Sequence, residues 1–302
     1  MLPLGRYYSG MRLCLAARVR QRDSHDRIPM KKKTNKATSG GTVLLWVLAV
    51  VVTLALAVLQ RLTGPTYPVR GSVKLGGETV RFEFQRSHDT AFDARIAVDV
   101  PSQKTTGLLR WKRYPTRDQW TIQTMTRDGG SLIGLIPKQP AAGKVMYDVI
   151  LRGGTGETAM LLREPAIMRF RNAVPDSVLV PHIALMFLSM LFATRAGLEA
   201  LFRRERIWTH TVTATLLLFV GGLAFGPIVQ HFAFGSYWTG WPFGSDLTDN
   251  KTAVSMLMWL LAVWRVRKSD KARGWVIAAA AVELLIFSIP HSLLGSEFHY
   301  GS

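Results

Sequence analysis

Four histidines fall close to the ends of apolar runs in the second half of the chain. They are His182, His231, His291 and His299. A neutral imidazole is the commonest metal ligand in proteins, and the carboxylates of Asp246, Asp249 and Glu297 suit a metal or the histidines that bind it. No two of these histidines have the spacing of a motif such as His-x-x-x-His. The residue types therefore point to a haem or metal site without fixing its ligands.

Residues 230–251, called the aromatic segment below, are too rich in aromatic side chains for an ordinary connection. They include Tyr237, Trp238, Trp241 and Phe243. One interpretation is structural. The aromatic rings form a membrane-interface belt, and Thr248 or Asp249 caps the next helix. His182 and His291, each after a proline, satisfy backbone groups at helix ends. A second is the haem or metal site. A third is a binding face for a quinone, a lipid or a partner protein, and the sequence leaves all three open.

Glu283 lies inside an apolar run, eight residues before His291. An acidic group is costly within a membrane and usually pairs or lines a pathway. Since eight residues span about 12 Å of helix, the two residues could form a proton or cation route. Alternatively, a protonated Glu283 bonds to a neighbouring helix, for instance at Thr211, Thr213 or Ser255.

Several classes of function have no signature here. The chain has no Gly-x-x-x-x-Gly-Lys phosphate loop, no Gly-x-Ser-x-Gly elbow and no His-Glu-x-x-His. Because Cys14 is the only cysteine, one chain cannot form an intramolecular disulfide or a cysteine-based metal site. Nothing in the sequence argues for an enzyme.

Five apolar runs predict transmembrane helices. They are residues 42–59, 178–192 with an extension towards 202, 208–229, 252–264 and 275–294. A bilayer needs about 20 apolar residues, and only helices can expose such runs to lipid. The first run contains a small-x-small sequence, Ala55-Leu56-Ala57, typical of a signal-peptide cleavage site. Its length favours an uncleaved anchor, residues 42–61.

Residues 66–171, called the β-domain below, have short alternating segments separated by glycine-rich turns. We predict strands at residues 79–85, 95–100, 107–113, 120–127, 145–151 and 166–170. Many short strands with frequent turns are typical of an antiparallel β-sandwich. The hydroxyl of Tyr147 is a candidate to bond back to the chain, as in immunoglobulin-like folds; otherwise Tyr147 is an ordinary half-buried strand residue.

The basic residues predict the orientation. The segments 1–41, 195–206 and 265–273 together hold 19 Lys and Arg residues, whereas the short segments 230–251 and 295–302 hold only Lys251. By the positive-inside rule the N-terminus is cytoplasmic, and the β-domain and the C-terminus are extracytoplasmic. The net charge of +18 then reflects topology, and no nucleic-acid partner is needed to explain it.

Two resemblances follow from particular segments. Residues 234–242, Phe-Gly-Ser-Tyr-Trp-Thr-Gly-Trp-Pro, precede an apolar helix that contains Trp259. Together they resemble the tryptophan-rich motif of haem-handling cytochrome c maturation proteins, which implies haem at the outer face with His231 and either His291 or His299 as ligands. The family's Trp-Asp-Pro is Gly240-Trp241-Pro242 here.

The second resemblance is broader. Residues 62–68, 239–244 and 246–252, in this order, resemble a set of uncharacterised bacterial inner-membrane proteins, which implies a bacterial plasma membrane and no particular activity.

These observations predict a membrane all-α bundle of about five helices with an extracytoplasmic antiparallel β-sandwich. Its parts are a basic tail (1–41), an anchor (42–61), the β-domain (66–171) and a four-helix transmembrane domain (178–302). We expect a non-enzymatic binding or assembly role at the outer face of the plasma membrane, with the lipid bilayer and an extracytoplasmic protein as partners. The alternatives are a haem- or metal-handling protein and a proton-coupled carrier or channel.

Overall fold

The computed structural model describes residues 39–290 and 298–301. The basic tail up to residue 38 and the segment that contains His291 and Glu297 lie outside the described residues. Within them, the chain forms a helix, a β-rich region and then a group of helices.

The first helix, α1 (Ser39–Thr63), is apolar along almost its whole length. The later helices are α2 (Asp176–Leu201), α3 (Ile207–Leu218), α4 (Gly226–Phe234), α5 (Leu247–Lys268) and α6 (Arg273–Ser288). A π-helical segment, Phe219–Phe225, joins α3 to α4, so that Ile207–Phe234 is one continuous helical stretch. Asp270–Ala272 forms a short 3₁₀ turn before α6.

Three helical stretches among the described residues are long and apolar enough to cross a membrane. They are Gly40–Thr63, Asp176–Leu201 and Ile207–Phe234, of 24, 26 and 28 residues. Helices of this length span about 36–42 Å, which exceeds the roughly 30 Å of bilayer hydrocarbon. The fourth and fifth predicted spans correspond to α5, which carries charges near both ends, and to α6, which has only 16 residues.

The β-domain contains eleven strands among the described residues. They are β1 (Val69–Leu75), β2 (Glu78–Phe84), β3 (Ser87–Asp89), β4 (Ala94–Asp99), β5 (Thr106–Tyr114), β6 (Thr121–Thr124), β7 (Thr126–Asp128), β8 (Ser131–Ile136), β9 (Lys144–Arg152), β10 (Thr158–Met160) and β11 (Ala166–Arg171). The six predicted strand regions all contain strands, whereas β1, β3, β8 and β10 were not predicted.

These strands form three sheets around one core. One sheet pairs β1 with β2, the largest has the order β3-β11-β9-β5-β6 with β10 beside β9, and the third has the order β4-β8-β7. Buried side chains from all three sheets share a single apolar cluster, among them Phe84, Leu109 and Ile136. The pairing is antiparallel, as predicted, except between β11 and β3, which run parallel.

The predicted strand at residues 120–127 is interrupted in the structure. Met125 turns its side chain into the core, where it is 5% exposed, and its amide donates to the carbonyl of Gly107 at 2.8 Å. As a result β6 pairs with β5 in one sheet and β7 pairs with β8 in another. The predicted single strand is therefore two strands in two sheets, which separate at the buried Met125.

The helices pack through small residues. A side chain at Gly197 of α2 would meet the Cβ of Ala280 in α6 at 2.8 Å, so the glycine allows these two helices to approach closely. Ala193, Ala196 and Ala279 are fully buried at the same core, and Trp259 of α5 fills its centre with no exposed surface. The helices α2, α5 and α6 therefore form a close-packed group.

Candidate functional site

The β-domain contacts the end of α4 at two points and the tail 298–301 at a third, and these contacts define one end of the bundle, called the β-domain end below. The amide of Asn172 donates to the carbonyl of Ala233 at 3.0 Å, just after β11 and near the end of α4. The amide of Phe298 donates to the carbonyl of Ala142 at 3.3 Å. The guanidinium of Arg169 lies 4.0 Å from the ring centre of Phe234. Strand, helix and tail therefore meet here.

The tail 298–301 is attached by Tyr300. Its hydroxyl lies 3.2 Å from both the Gln139 side chain and the Lys144 carbonyl. The Arg113 guanidinium stacks 5.1 Å from the Tyr300 ring and also pairs with Asp118 at 2.6 Å. Burial raises the pKa of Tyr300, whereas the hydrogen bond from Arg113 lowers the pKa of Asp118. This part of the site is a fixed attachment between the tail and β9.

The aromatic segment is shaped by two aspartates, which both accept from the Thr239 hydroxyl, at 3.2 and 3.3 Å, and otherwise bond to different groups. Asp246 is the cap of α5, since its carboxylate accepts from the Thr248 amide at 2.7 Å. Asp249 instead accepts from the amides of Thr239 and Gly240 at 2.7 and 3.0 Å, and from Gln230 at 3.1 Å. The prediction that Thr248 or Asp249 caps this helix was therefore wrong: Asp246 caps it, and Asp249 holds the preceding loop.

The aromatic side chains of this segment divide into packed and exposed groups. The His231 ring stacks on Tyr237, with ring centres 4.0 Å apart and planes 2° from parallel. The indole of Trp238 donates to the carbonyl of Trp241 at 3.2 Å. The Trp241 and Phe243 side chains are 78% and 82% exposed. Two large aromatic side chains at the tip of a loop suit a membrane interface or a binding partner.

His182 serves the backbone of the π-helical segment. Its Nδ1 lies 2.9 Å from the carbonyl oxygen of Gly221, which also accepts from the amide of Gly226. A side chain at Gly222 would meet Thr252 of α5 at 2.8 Å, so this irregular segment packs closely against α5. From the sequence, His182 was interpreted as satisfying a backbone group at a helix end. In the structure it does contact a backbone group, the Gly221 carbonyl, but this carbonyl lies within a helical stretch.

The described residues do not assemble a haem or metal site. Across residues 39–290 and 298–301, no group of three His, Cys, Asp or Glu side chains is placed to hold a metal ion. His182 is engaged by a carbonyl, His231 is stacked on Tyr237, and His299 lies exposed on the tail. Since His291 falls outside the described residues, the cofactor assignment stays a prediction.

Glu283 belongs to a separate cluster inside the bundle. It has no exposed surface, accepts from the Ser189 hydroxyl at 3.0 Å and accepts from the Trp259 indole. The predicted partners Thr211, Thr213 and Ser255 are not the ones that it contacts. Glu283 thus bonds to neighbouring helices, as the structural interpretation expects. His291, the other end of the proton or cation route, lies outside the described residues.

Two features of the bundle were not found from the sequence. Arg195 and Glu199 form a buried ion pair in α2, each about 2–3% exposed, and Glu199 also accepts from the Arg206 amide at 3.1 Å. Their i, i+4 spacing within an apolar run was an available signal. The other feature is a pair of adjoining cavities at the β-domain end, whose lining residues are too far apart in sequence to leave a signal.

The larger cavity is an apolar chamber between α1 and α2, with a volume of about 450 Å³. Its wall includes Leu56, Ala57, Ile183, Phe187 and Met190. The smaller is a basic recess of about 280 Å³. Six residues line the recess: Arg61, Thr66, Ser87, Arg169, Arg171 and Phe234. Arg61 and Thr66 line both cavities, so the chamber and the recess adjoin.

No protein-family model, no curated protein sequence and no solved structure matches this chain.

Proposed function

We propose that this chain is a multi-pass protein of the bacterial plasma membrane with a non-enzymatic binding role at the outer face. The observation that carries the proposal is the junction between the β-domain and the helices, where β11 and the ends of α1 and α4 line the basic recess that adjoins the apolar chamber. A cavity shared by a globular domain and apolar helices suits a ligand or partner that is present at the membrane surface.

Five membrane spans are part of this proposal. In α5, Trp259 and Ala262 are buried against the bundle, whereas Leu257 and Leu260 are 66% and 52% exposed. Leu285 of α6 is 67% exposed. A helix that is apolar on both its packed and its exposed faces is favoured in lipid rather than in water. This pattern supports α5 and α6 as the fourth and fifth spans beside the three longer stretches.

The proposed orientation is supported by the two ends of the bundle. The connections after α2 and before α6 meet, since the Arg273 guanidinium donates to the carbonyl of Arg204 at 3.1 Å. These are the connections that carry the basic residues, and basic connections favour the cytoplasm. The β-domain, the aromatic segment and the tail 298–301 meet at the other end, which the proposal assigns to the outside.

Labelling of single cysteines tests the orientation. In a Cys14→Ser background, Thr155→Cys in the β-domain and His299→Cys in the tail place thiols at exposed positions, and Glu205→Cys does so after α2. In intact cells with a permeable outer envelope, a membrane-impermeant maleimide is expected to label positions 155 and 299. It should label position 205 only after the membrane is disrupted. Labelling of position 205 in intact cells would overturn the orientation.

Protection of the junction tests the binding role. Thr66 is exposed and lines both cavities, so Thr66→Cys reports whether they are occupied. We expect a small thiol reagent to react more slowly with this cysteine in native membranes than in delipidated, detergent-purified protein. Thr155→Cys, away from the cavities, should react equally in both. Equal rates at position 66 would count against a binding role at this junction.

A further inference from the structure

Two cations and two indoles, called the basic-aromatic cluster below, lie at the far end of α5 from the aromatic segment. Trp264, Arg265 and Lys268 belong to the last turns of α5, and Trp275 belongs to the first turn of α6. The Arg265 guanidinium lies 4.8 Å from the ring centre of Trp264 and 5.0 Å from that of Trp275. The Lys268 ammonium lies 4.2 Å from the ring centre of Trp264. Side chains from two helices therefore form one basic and aromatic surface.

The two cations of the basic-aromatic cluster have no carboxylate partner. Among the residues that the structure describes, neither the Arg265 nor the Lys268 side chain forms an ion pair or a hydrogen bond. An aromatic face attracts a cation and holds it in place without neutralising it. The connection 265–273 holds five basic residues and one acidic residue, Asp270. The charge of the cluster therefore favours an anionic ligand.

The two indoles of the cluster are partly exposed, and their N–H groups are available as donors. The Trp264 and Trp275 side chains are 47% and 36% exposed. Within the described part of the chain, neither indole donates a hydrogen bond. Tryptophan is enriched at membrane–water interfaces, because its ring is apolar and its N–H can bond to a polar group at the level of the lipid headgroups.

The positive-inside rule explains how many basic residues this connection holds, but it does not explain their arrangement. The rule depends on the number of Lys and Arg residues alone. Arg267 and Lys271 add as much to that number and are also exposed, yet among the described contacts neither lies over an aromatic ring. Arg265 and Lys268 are instead held beside rings, which lowers the entropic cost of ordering them around a ligand.

An exposed apolar stripe continues from the cluster along α5. Leu260 and Leu257 lie four and seven residues before Trp264, so they share its helix face. Their side chains are 52% and 66% exposed. Seven residues correspond to about 10 Å of helix, which is less than half of the roughly 30 Å of bilayer hydrocarbon. A free anion would contact only the two cations, whereas a phospholipid would also cover this stripe with an acyl chain.

We infer that the basic-aromatic cluster binds an anionic membrane phospholipid, with the headgroup at Arg265 and Lys268 and an acyl chain along Leu260 and Leu257. The indoles of Trp264 and Trp275 hold the guanidinium and donate to the polar part of the lipid. In the proposed orientation this lipid lies in the cytoplasmic leaflet. The inference goes beyond the binding role at the outer face, and it rests on the proposal that α5 and α6 cross the membrane.

Native mass spectrometry of the full chain in mild detergent, titrated with phosphatidylglycerol, tests the inference. The test variant carries Arg265→Gln and Lys268→Gln, both at exposed positions. The matched control carries Arg267→Gln and Lys271→Gln, which removes the same charge from exposed residues of the same connection. A difference between the two variants therefore reports on the cluster and not on net charge.

We expect the test variant to bind phosphatidylglycerol about tenfold more weakly or worse, equivalent to about 1.4 kcal/mol, while the control changes little. Phosphatidylethanolamine, which has a phosphate but no net charge, should bind more weakly than phosphatidylglycerol. Unchanged binding by the test variant, or an equal loss in both variants, would overturn the inference. Displacement of the lipid by excess inorganic phosphate would also overturn it, in favour of a simple anion site.

A second variant, Trp275→Leu, tests the role of the rings. It keeps an apolar side chain but removes one of the two rings beside Arg265. We expect phosphatidylglycerol to bind about two- to fivefold more weakly, as the loss of one exposed cation–π contact implies. Trp208→Leu, at a 44% exposed indole of α3, should have no such effect. Equal binding by Trp275→Leu and the unsubstituted protein would contradict a site built from both helices.

The inference and the proposed function can fail separately. If Glu205→Cys is labelled only after the membrane is disrupted but the test variant keeps its lipid, the proposed orientation stands and this inference fails. If the test variant loses its lipid but position 205 is labelled in intact cells, the lipid site stands in the outer leaflet and the proposed orientation fails.

Discussion

The hydroxyl of Tyr300 lies 3.2 Å from the carbonyl oxygen of Lys144, although 156 residues separate them in the chain. This contact attaches the tail 298–301 to β9, together with the bond from the Phe298 amide to the Ala142 carbonyl at 3.3 Å. The β-domain is thus attached to the rest of the chain both before α2 and through the tail after α6. Two attachments restrict the movement of the β-domain over the helices.

Tyr300→Phe tests the attachment of the tail. It removes the hydroxyl but keeps the ring that contacts Arg113 and Phe298. A net hydrogen bond contributes about 0.5–1.5 kcal/mol, so we expect exchange of the Phe298 amide to accelerate by up to about tenfold. Hydrogen exchange with mass spectrometry measures this effect. Tyr237→Phe, at a 57% exposed side chain, is the matched control. Unchanged protection in Tyr300→Phe would contradict a role for the hydroxyl.

Asp249→Asn tests how the aromatic segment is held. One carboxylate oxygen of Asp249 accepts from the amides of Thr239 and Gly240 and from Gln230. Hydrogen bonds to a charged group contribute about 1.5–3 kcal/mol, and an asparagine cannot offer the same charge. We expect faster proteolysis at residues 235–246 and a lower thermal midpoint.

Asp246→Asn is the matched control for that experiment. Asparagine caps helices about as well as aspartate, and the bond that Asp246 accepts from the Thr248 amide can be kept. Equal effects of the two substitutions would mean that Asp249 has no special role in holding the loop.

Much of the fold was predictable because it depends on local patterns. The alternation of apolar residues located β2, β4, β5, β9 and β11, and the apolar runs located the helices. The single strand predicted at residues 120–127 overlooked a change of phase, since Trp120 and Ile122 alternate but Met125 is one residue out of step. Only tertiary packing shows that Met125 turns into the core. The parallel pairing of β3 with β11 joins residues that are distant in sequence, which a local pattern cannot encode.

The candidate site was less predictable than the fold. The sequence left open whether the Tyr147 hydroxyl bonds back to the chain or Tyr147 is an ordinary strand residue; in the structure this hydroxyl donates to the backbone carbonyl of Gln85 at 2.7 Å. Burial also raises the pKa of Tyr147. By contrast, the sequence emphasised histidines, whereas the basic recess is built from arginines on α1 and β11. Among 38 Lys and Arg residues, no local feature marks those three.

Asp148 in β9 makes the stability of the β-domain depend on pH. Its side chain has no exposed surface and lies 3.2 Å from the Arg110 guanidinium. Burial raises the pKa of Asp148, and this effect exceeds the opposing hydrogen bonds. The folded-state pKa is above the unfolded value of about 3.9. The contribution of Asp148 to the free energy of unfolding is therefore greatest at a pH below the unfolded pKa, and it is lost as the pH rises through the folded-state pKa.

Asp148→Asn removes this titration. We expect the difference in thermal midpoint, Asp148→Asn minus the unsubstituted protein, to become more positive as the pH is raised from about 4 to 7. Fluorescence of Trp111 and Trp120 in the β-domain is the measurement. Asp128→Asn, at a 73% exposed side chain paired with Arg95, should not show the same trend. A pH-independent difference between Asp148→Asn and the unsubstituted protein would contradict the assignment.

Glu283 has the environment of a structural residue rather than of a pathway. It is fully buried between α2 and α5, and both of the bonds that it accepts come from core side chains, Ser189 and Trp259. Removing an acceptor leaves each buried donor unsatisfied, at a cost of about 1–3 kcal/mol. We therefore expect Glu283→Leu to destabilise the bundle strongly and Glu283→Gln, which keeps an acceptor oxygen, to destabilise it less. Thermal unfolding in detergent distinguishes the two variants.

Leu285→Ala is the control for stability, since Leu285 is 67% exposed on α6 and its truncation should have little effect on packing. Ion flux separates the structural role from the carrier hypothesis. In proteoliposomes under a pH gradient, the unsubstituted protein and Glu283→Gln are expected to show the same proton leak as empty vesicles, because Glu283 bonds to core side chains from α2 and α5. A flux that is present in the unsubstituted protein and lost in folded Glu283→Gln would instead identify Glu283 as part of a proton pathway.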